Sequence, residues 1–418
     1  MKKIKSNKVA IICNGINNKG GTELYIRSVI VELKKLSIDI LLIVPKLSEN
    51  DSNFVAVNCS DVLVLDSIEG GSKSPNKIIR ERQQSIAASQ AILSECALVV
   101  FHCFSYNFDA LAKSLAGKIN SILFIHTPTF TCPGGARYLF HSDTLCTLKP
   151  GLGCLVVNKK ENCISFSFND RLPPSYLPNI LTFQFSIKRF LSYFNQIIFN
   201  SVATKNLMGD IYSINKYNII YPPIFPGIEF NYFNDNDNDN SSNKLLFIGR
   251  LERYKGCDHA IRALALLPKE FSLVVCGDGP EEAGLKELAT QLGLSNQIAW
   301  KGWVSQEKVI YELRHADIVL MPSKWFEAFG QVGPQAIFYD CAVVAYDSGG
   351  IVDWCTPDIG SLVKVGDWNA MAGQVLSWSK KLQDGYIFPA EIKDRWGVDR
   401  FSQDIRKFID GELKGISS

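Results

Sequence analysis

Short apolar runs, rich in β-branched residues and bounded by polar or Gly-containing stretches, recur along the chain. Lys8–Cys13 (KVAIIC), Ile40–Val44 (ILLIV), Val62–Leu65, Leu98–Phe101, Ser121–Ile125 and Ile197–Phe199 form a first series. Runs apolar on both faces are the mark of buried parallel strands. After the first of them Ile26, Val29, Ile30, Leu33 and Leu36 fall at helical spacing. Tyr221–Pro226 (YPPIFP) then blocks any helix, and Asn234–Asn243 (NDNDNDNSSN) predicts a solvated loop. A second series follows at Leu245–Ile248, Leu273–Cys276, Ile298–Lys301, Ile318–Met321 and Ala342–Tyr346. Helical patterns lie at Cys257–Leu267, Glu281–Leu292, Gln306–His315, Val332–Tyr339 and Asn369–Leu382, and an amphipathic segment runs from about Glu391 to Leu413. Strands alternating with helices predict an α/β protein of two Rossmann-like, doubly wound domains. The expected domains are residues 1–222 and 223–389. Ligands of such sheets sit beyond the carboxyl ends of the strands, so the expected site is a cleft between the domains.

Composition narrows the classes. The 418 residues are 46% hydrophobic and 21% charged, which excludes a disordered, collagenous or disulfide-stapled chain. A net charge of +2 gives no global field toward nucleic acid. The charge is uneven: residues 1–222 hold 24 basic and 15 acidic side chains, residues 223–418 hold 20 and 27. Drift of surface composition explains this as well as a basic half that meets an anionic substrate or anionic lipid headgroups. There is no apolar stretch long enough to span a bilayer and no cleavage site after the basic, apolar start, so the twelve cysteines are expected as thiols in a cytoplasm.

The chemistry-bearing residues cluster where strands end. Gly20-Gly21-Thr22-Glu23 lies between the first strand and the first helix, where bare amides can meet an anion; a plain tight turn is the alternative. Phe247–Gly256 (FIGRLERYKG) opens the second series and places Arg250 and Lys255 just past a strand. An Arg fork and a Lys point charge there can hold a diphosphate. Gly277-Asp278-Gly279-Pro280 is a turn by composition, with ligand contact at Gly277 no more favoured than structure. Met321–Ala336 (MPSKWFEAFGQVGPQA) runs from a strand into a loop with Glu327 and Gly330, then into a helix that Pro334 confines to a start near Val332 or Gly333, with Gln335 in its first turns.

Taken together, GGTE, GRLERYKG, CGDGPEE, EAFGQVGPQA and SGGIVDW resemble the retaining glycosyltransferases of family 4 (glycosyl transferases group 1), which have the GT-B fold. The resemblance is strongest from Leu245 to Gly366. It implies a nucleotide diphosphate-sugar donor, with Gly20, Gly21, Arg250 and Lys255 on the diphosphate and no divalent metal or other cofactor. It also implies Glu327 at the hydroxyls of the donor sugar, His126 in a cleft near that sugar, and residues 390–418 packing back on the first domain. The family's second Glu is Gln335 here, whose amide still accepts a ribose hydroxyl but without charge. The expected reaction is hexosyl transfer to a saccharide or lipid-linked saccharide, in surface polysaccharide assembly. A non-catalytic nucleotide-sugar-binding relative and a sugar-nucleotide epimerase of the same fold are the alternatives. A Rossmann dehydrogenase would need a G-x-G-x-x-G turn that NGINNKGGTE lacks.

Two segments stay open. Cys132, Cys146, Cys154 and Cys163, spaced C-x13-C-x7-C-x8-C near His141, do not have a zinc spacing; a structural metal is the weaker reading and unpaired thiols the stronger. They lie in Thr127–Cys163, the loop region expected to choose the acceptor. Phe183–Phe199 reads as a core helix entering a buried strand, with a basic-aromatic helix on the inner face of a membrane as the alternative.

Overall fold

The computed structural model describes residues 7–16, 20–65, 90, 92–102, 106–161, 163, 176–224 and 243–417. By its contacts the chain forms two compact units. The first is Met1–Pro133, Pro174–Pro223 and Asp399–Ser418; the second is Gly134–Pro173 and Ile224–Val398. All but Asn243 of the expected Asn-rich loop, and residues 17–19 of the first glycine loop, lie outside the described residues.

The first unit is a parallel sheet of β1 (Lys8–Ile12), β2 (Asp39–Val44), β3 (Asp61–Val64), β4 (Leu98–Phe101), β5 (Asn120–Ile125), β8 (Gln196–Phe199) and β9 (Tyr217–Ile219). Strands β6 (Tyr138–Leu139) and β7 (Thr144–Leu145) form a separate hairpin in the second unit. The order β3-β2-β1-β4-β5-β8-β9 puts the reversal of winding between β1 and β4. Its helices are α1 (Gly21–Lys35), α2 (Glu49–Asn58), α3 (Tyr106–Leu115), α5 (Tyr176–Leu191) and α6 (Val202–Gly209), with α4 (Leu152–Glu161) in the second unit. Val9, Ile11, Leu98, Val100, Ile122 and Phe124 fill one face of the sheet, and Ala10, Ile12, Val99, Phe101 and Leu123 the other. This double burial is why the strands read as unbroken apolar runs. In α5, Phe183, Ile187, Phe190 and Leu191 turn inward as a core helix should, while Leu181, Phe185, Lys188 and Arg189 stay exposed.

The second unit repeats the plan with β10 (Lys244–Ile248), β11 (Ser272–Cys276), β12 (Ile298–Gly302), β13 (Ile318–Met321), β14 (Ala342–Tyr346) and β15 (Gly360–Val363). Their order is β12-β11-β10-β13-β14-β15, all parallel. Helices α7 (Cys257–Leu264), α8 (Glu282–Gln291), α9 (Gln306–Arg314), α10 (Val332–Phe338) and α11 (Trp368–Gln383) connect them, and Asp367 caps α11 by accepting from the Ala370 amide at 2.9 Å. The reversal of winding falls between β10 and β13, so the loops after these two strands open on the crevice where ligands of doubly wound sheets bind.

Two boundaries differ from the sequence reading. Residues 134–173, expected in the first domain, belong to the second unit. Polar contacts explain it: Asp143, beside the hairpin, accepts from Lys324, and Tyr138 meets Tyr254 edge-on. The amphipathic segment from Glu391 to Leu413 is two helices, α12 (Ala390–Arg395) and α13 (Val398–Ser417), broken at Trp396-Gly397. From Asp399 onward the chain lies in the first unit, where Phe401, Ile405 and Ile409, four residues apart, join its core.

Gly333 shows how tightly the second unit is packed. A Cβ there would run into the indole of Trp354, which is buried and donates its N–H to the Phe329 carbonyl at 2.6 Å. All seven tryptophans lie between positions 300 and 396, so their fluorescence follows the unfolding of this unit alone. Gly333→Ala gains about 1 kcal/mol of helix propensity but overpacks by about 1–3 kcal/mol. The expected result is a net loss of stability in urea denaturation followed by tryptophan emission; an unchanged or higher midpoint refutes the packing role.

Candidate active site

The loop after β10 is held by backbone contacts that only glycines permit. The Gly249 amide donates to the Cys276 carbonyl at 3.0 Å, and the Leu251 amide to the Asp278 carbonyl at 2.7 Å. A Cβ at Gly277, where φ is +149°, would strike the Gly249 carbonyl, and one at Gly279 the Leu251 carbonyl. Gly277, for which the sequence leaves a donor contact and a structural turn both open, lets the second strand-end turn lie against the loop that carries Arg250. A short 3-10 turn, Arg253–Lys255, then ends at Gly256 in the left-handed region (φ +75°), pressed on the Pro322 carbonyl. The Lys324 amide donates to the Tyr254 carbonyl at 2.8 Å. The loops after β10 and β13 are therefore stitched together through the main chain.

That stitching brings Lys255 to Glu327. The Lys255 ammonium donates to Glu327 Oε1 at 2.5 Å and lies 4.7 Å from the centre of the Trp325 ring. The Ser323 hydroxyl donates to the same carboxylate oxygen at 2.8 Å. Burial alone would raise the Glu327 carboxyl, but the Lys255 charge and these hydrogen bonds hold it below its usual range. Behind it, the Gly350 amide donates to the Glu327 carbonyl at 2.7 Å, the Ser348 hydroxyl donates to the Trp325 carbonyl, and a Cβ at Gly349 would strike the Glu327 carbonyl. SGGIVDW is thus the buttress of the Glu327 loop. Gly330 takes a left-handed conformation (φ +78°) against Met321 and Ile351. Arg250 is 70% exposed and paired with Glu252 at 2.7 Å. Gln335 is half-buried on α10 and its side chain makes no hydrogen bond among the described residues.

Sequence reasoning missed the group beneath these loops. Lys324, fully buried, donates to Asp143 at 2.8 Å and to Asp258 at 3.1 Å. Arg253 lies 3.6 Å from Asp143, and Tyr138 donates to the same carboxylate. His259 stands 3.6 Å from Asp258 and hydrogen-bonds Tyr346 at 2.8 Å. Burial raises the Asp143 carboxyl, yet Lys324 and Tyr138 outweigh it and the net shift is downward. Asp143, Asp258 and His259 have ligand atoms close enough to hold a metal ion, but Lys324 already supplies a cation between the two carboxylates. Among the described residues Cys132, Cys146, Cys154, Cys163 and His141 form no such group. The signal available in the sequence was weak: a Lys beside Trp and Phe, three residues before Glu327.

In the first unit, Gly20 precedes α1 in an extended conformation, with the Glu23 carboxylate folded back against it; Gly21 is exposed. His126 follows β5 and His102 follows the adjacent β4, and their rings approach to 3.0 Å between His102 Nδ1 and His126 Nε2. Tyr25 meets His126 edge-on, and His102 stacks on Phe124. Burial pushes His126 down to about 3 and His102 well below the usual histidine range, so both are neutral. His102 was not singled out, although it follows an apolar run just as His126 does.

Residues 229–384 match the family described as Glycosyl transferases group 1. They are a group 1 domain. The chain is 31% identical over 149 residues to a 2-deoxystreptamine glucosyltransferase of Streptomyces kanamyceticus, covering 35% of this chain and 37% of that one. Against a D-inositol 3-phosphate glycosyltransferase of Mycolicibacterium smegmatis it is 29% identical over 172 residues, covering 37% and 39%. The matched stretch spans under two fifths of either relative's length. Over nearly the whole chain the fold resembles that of Anabaena HepE, solved in complex with UDP, at a TM-score of 0.69 and 16% identity, covering 97% of this chain and 100% of that one. Sucrose-phosphate synthase of Thermosynechococcus elongatus gives 0.68 at 16% identity, covering 98% and 99%. The fold is GT-B. The group 1 domain contains Arg250, Lys255, Gly277, Glu327, Gly330 and Gln335; Gly20, Gly21 and His126 belong to the first unit.

Lys324→Met leaves two carboxylates in the group 1 domain without their shared cation. Removing one partner of a buried ion pair costs about 3–5 kcal/mol. The loss should be largest near pH 7 and shrink as pH falls toward 4. In the wild type the depressed Asp143 carboxyl adds stability above its unfolded pKa and loses it only as pH falls through its lower folded value; without Lys324 most of that depression is gone, burial raises the carboxyl, and its protonation as pH falls toward 4 relieves the orphaned charge. Urea denaturation by tryptophan emission at both pH values is the check. A deficit independent of pH refutes the ion-pair account.

Proposed function

We propose that the chain is a retaining glycosyltransferase of family 4 that moves a hexose-type sugar from a nucleotide diphosphate-sugar to a saccharide or lipid-linked saccharide. The observation that carries this reading is the Lys255–Glu327 contact at the carboxyl ends of β10 and β13, inside the group 1 domain. Lys255 and Arg250 hold the diphosphate and neutralise the charge that builds up as the nucleoside diphosphate leaves, the role a divalent metal fills elsewhere. Arg250 can turn to it, since its own side chain is 70% exposed and a surface pair such as the one it makes with the less exposed Glu252 is worth only about 0–1 kcal/mol. Glu327, ionised at neutral pH, accepts from hydroxyls of the donor sugar and offsets positive charge at the anomeric carbon. The Gln335 amide accepts from the ribose. The amides at Gly20 and Gly21 add donors for the diphosphate, and His126 a contact to the sugar. The UDP and UDP-glucose complexes of HepE support a uridine diphosphate donor as the first to test. Surface polysaccharide assembly is the setting we favour, at the cytoplasmic side.

A thermal-shift titration with UDP-glucose should raise the melting temperature of the wild-type chain, because a ligand bound to the folded state stabilises it. Arg250→Ala should weaken that shift and slow donor hydrolysis by at least tenfold. Gln335→Glu should preserve or strengthen the shift. If Gln335→Glu abolishes turnover, the ribose assignment is wrong; if neither UDP-sugars nor other nucleotide sugars bind, the transferase reading fails.

A second reading concerns location. Phe185 is 76% and Leu181 43% exposed on α5, beside the exposed Lys188 and Arg189. An aromatic and a basic pair on one helix suit peripheral attachment to an anionic leaflet. Co-sedimentation with phosphatidylglycerol vesicles should fall severalfold for Phe185→Asp combined with Lys188→Glu, and equal binding of the variant rules this attachment out.

A further inference from the structure

His102 and His126 are joined by one hydrogen bond, and neutral imidazoles can make it in only two ways. If His126 Nε2 carries the hydrogen, His102 must accept at Nδ1 and bear its own hydrogen on Nε2. That atom is buried and has no hydrogen-bond partner among the described residues. A buried N–H with no acceptor is rarer in proteins than a buried acceptor with no donor. If His102 Nδ1 carries the hydrogen instead, the orphaned Nε2 is a bare lone pair, and His126 is left with its hydrogen on Nδ1. Both residues are held in place from the main chain: the His102 amide donates to the Ile12 carbonyl at 2.8 Å, and Asn200 Nδ2 donates to the His126 carbonyl at 3.3 Å. The Phe124 stack and the Tyr25 edge fix the ring planes. Among the described residues His126 Nδ1 has no partner, and His126 keeps partial exposure while His102 is buried.

We infer that His102 is a positioning residue: it donates from Nδ1 to His126 Nε2 and so fixes His126 as the Nδ1–H tautomer, a hydrogen-bond donor to an oxygen of the bound ligand. The only lone pair of His126 is then engaged by His102. His126 can neither accept a proton from an attacking hydroxyl nor deliver one, and its contribution is a neutral, oriented N–H. This rests on the transferase reading for the identity of the ligand, an oxygen of the sugar substrate, but not for the tautomer itself.

The chain has five histidines, few enough for each ring to be assigned by single substitution after isotope labelling of the ring nitrogens. Two-bond proton–nitrogen correlation spectra of the full-length protein should show His126 and His102 both as Nδ1–H. Spectra with His126 as Nε2–H or as imidazolium in the wild type overturn the inference. His102→Phe keeps a ring on Phe124 but has no donor; His126 should then turn to Nε2–H, and kcat for UDP-glucose hydrolysis should fall about tenfold with KM little changed, the worth of one oriented hydrogen bond. His102→Asn, whose amide N–H stands near the place of Nδ1, should restore the tautomer and most of kcat. A tautomer that does not respond to His102→Phe, or a kcat that does not follow it, refutes the positioning role. Absence of any UDP-sugar turnover in the wild type strikes the transferase reading instead, and the spectra still decide the tautomer.

Discussion

A carboxylate stays ionised in a protein interior only where a cation or several hydrogen-bond donors stand beside it. Glu327 is 7% exposed, and Lys255 is the cation it has. The two are 72 residues apart in sequence and meet because β10 and β13 are neighbours across the reversal of winding. Most of the glycines in the recognisable motifs serve that meeting. Gly256 lets its loop approach Pro322, Gly277 and Gly279 let a turn lie on Gly249 and Leu251, and Gly349 and Gly350 close on the backbone of Glu327 and Ala328. A motif that looks like a ligand cradle is here largely the means of bringing two main chains within hydrogen-bonding distance.

Beneath this pair lies a second charge group with the opposite arrangement. Around Glu327 an acid is buried and the cation is more exposed; around Lys324 the cation is wholly buried and the acids reach the surface. Asp143 enters from the hairpin segment and Asp258 from the first turn of α7, so one ammonium ties the hairpin to the loop that carries Glu327. Such a tie is weak as a source of net stability, because desolvating the lysine offsets much of the attraction. Its value is geometric: the pieces fit in one arrangement only. That also explains why residues 134–161 pack in the second unit although they follow β5 of the first.

Eleven strands fall where apolar runs predict; most were legible because burial on both faces leaves such a run unbroken, while the edge strands Asp61–Val64 and Ile298–Gly302 were found although they are largely exposed. The ones that escaped notice are short or at sheet edges. Tyr217–Ile219 is exposed at two of its three positions, and Gly360–Val363 has a glycine and a serine in four residues. Arg250, Lys255 and Glu327 were legible because polar residues directly after an apolar strand are conspicuous. Lys324 and Asp143 were not, since a buried ion pair between residues 181 apart leaves no local pattern. His102 could have been found by asking of β4 what was asked of β5. The placement of residues 134–173 could not, for nothing in their composition tells which sheet their charges will face.

The uneven charge along the chain is a poor guide to where an anion would bind. A basic first half suggests an anion-binding half, yet Arg250 and Lys255, the side chains best suited to a diphosphate, lie in the acidic half, where 27 acidic residues outnumber 20 basic ones. The two facts are compatible because charges act over a screening length of about 8 Å at physiological salt. What a diphosphate meets is the handful of groups within that distance, and net charge over 196 positions averages them away. Gln335 fits the same logic. It accepts hydrogen bonds as a glutamate would but adds no negative charge to a domain that already has Glu327 to neutralise. Gln335 is neutral where a glutamate would add a second negative charge, and among the described residues of the second unit the charge of Glu327 is met by Lys255.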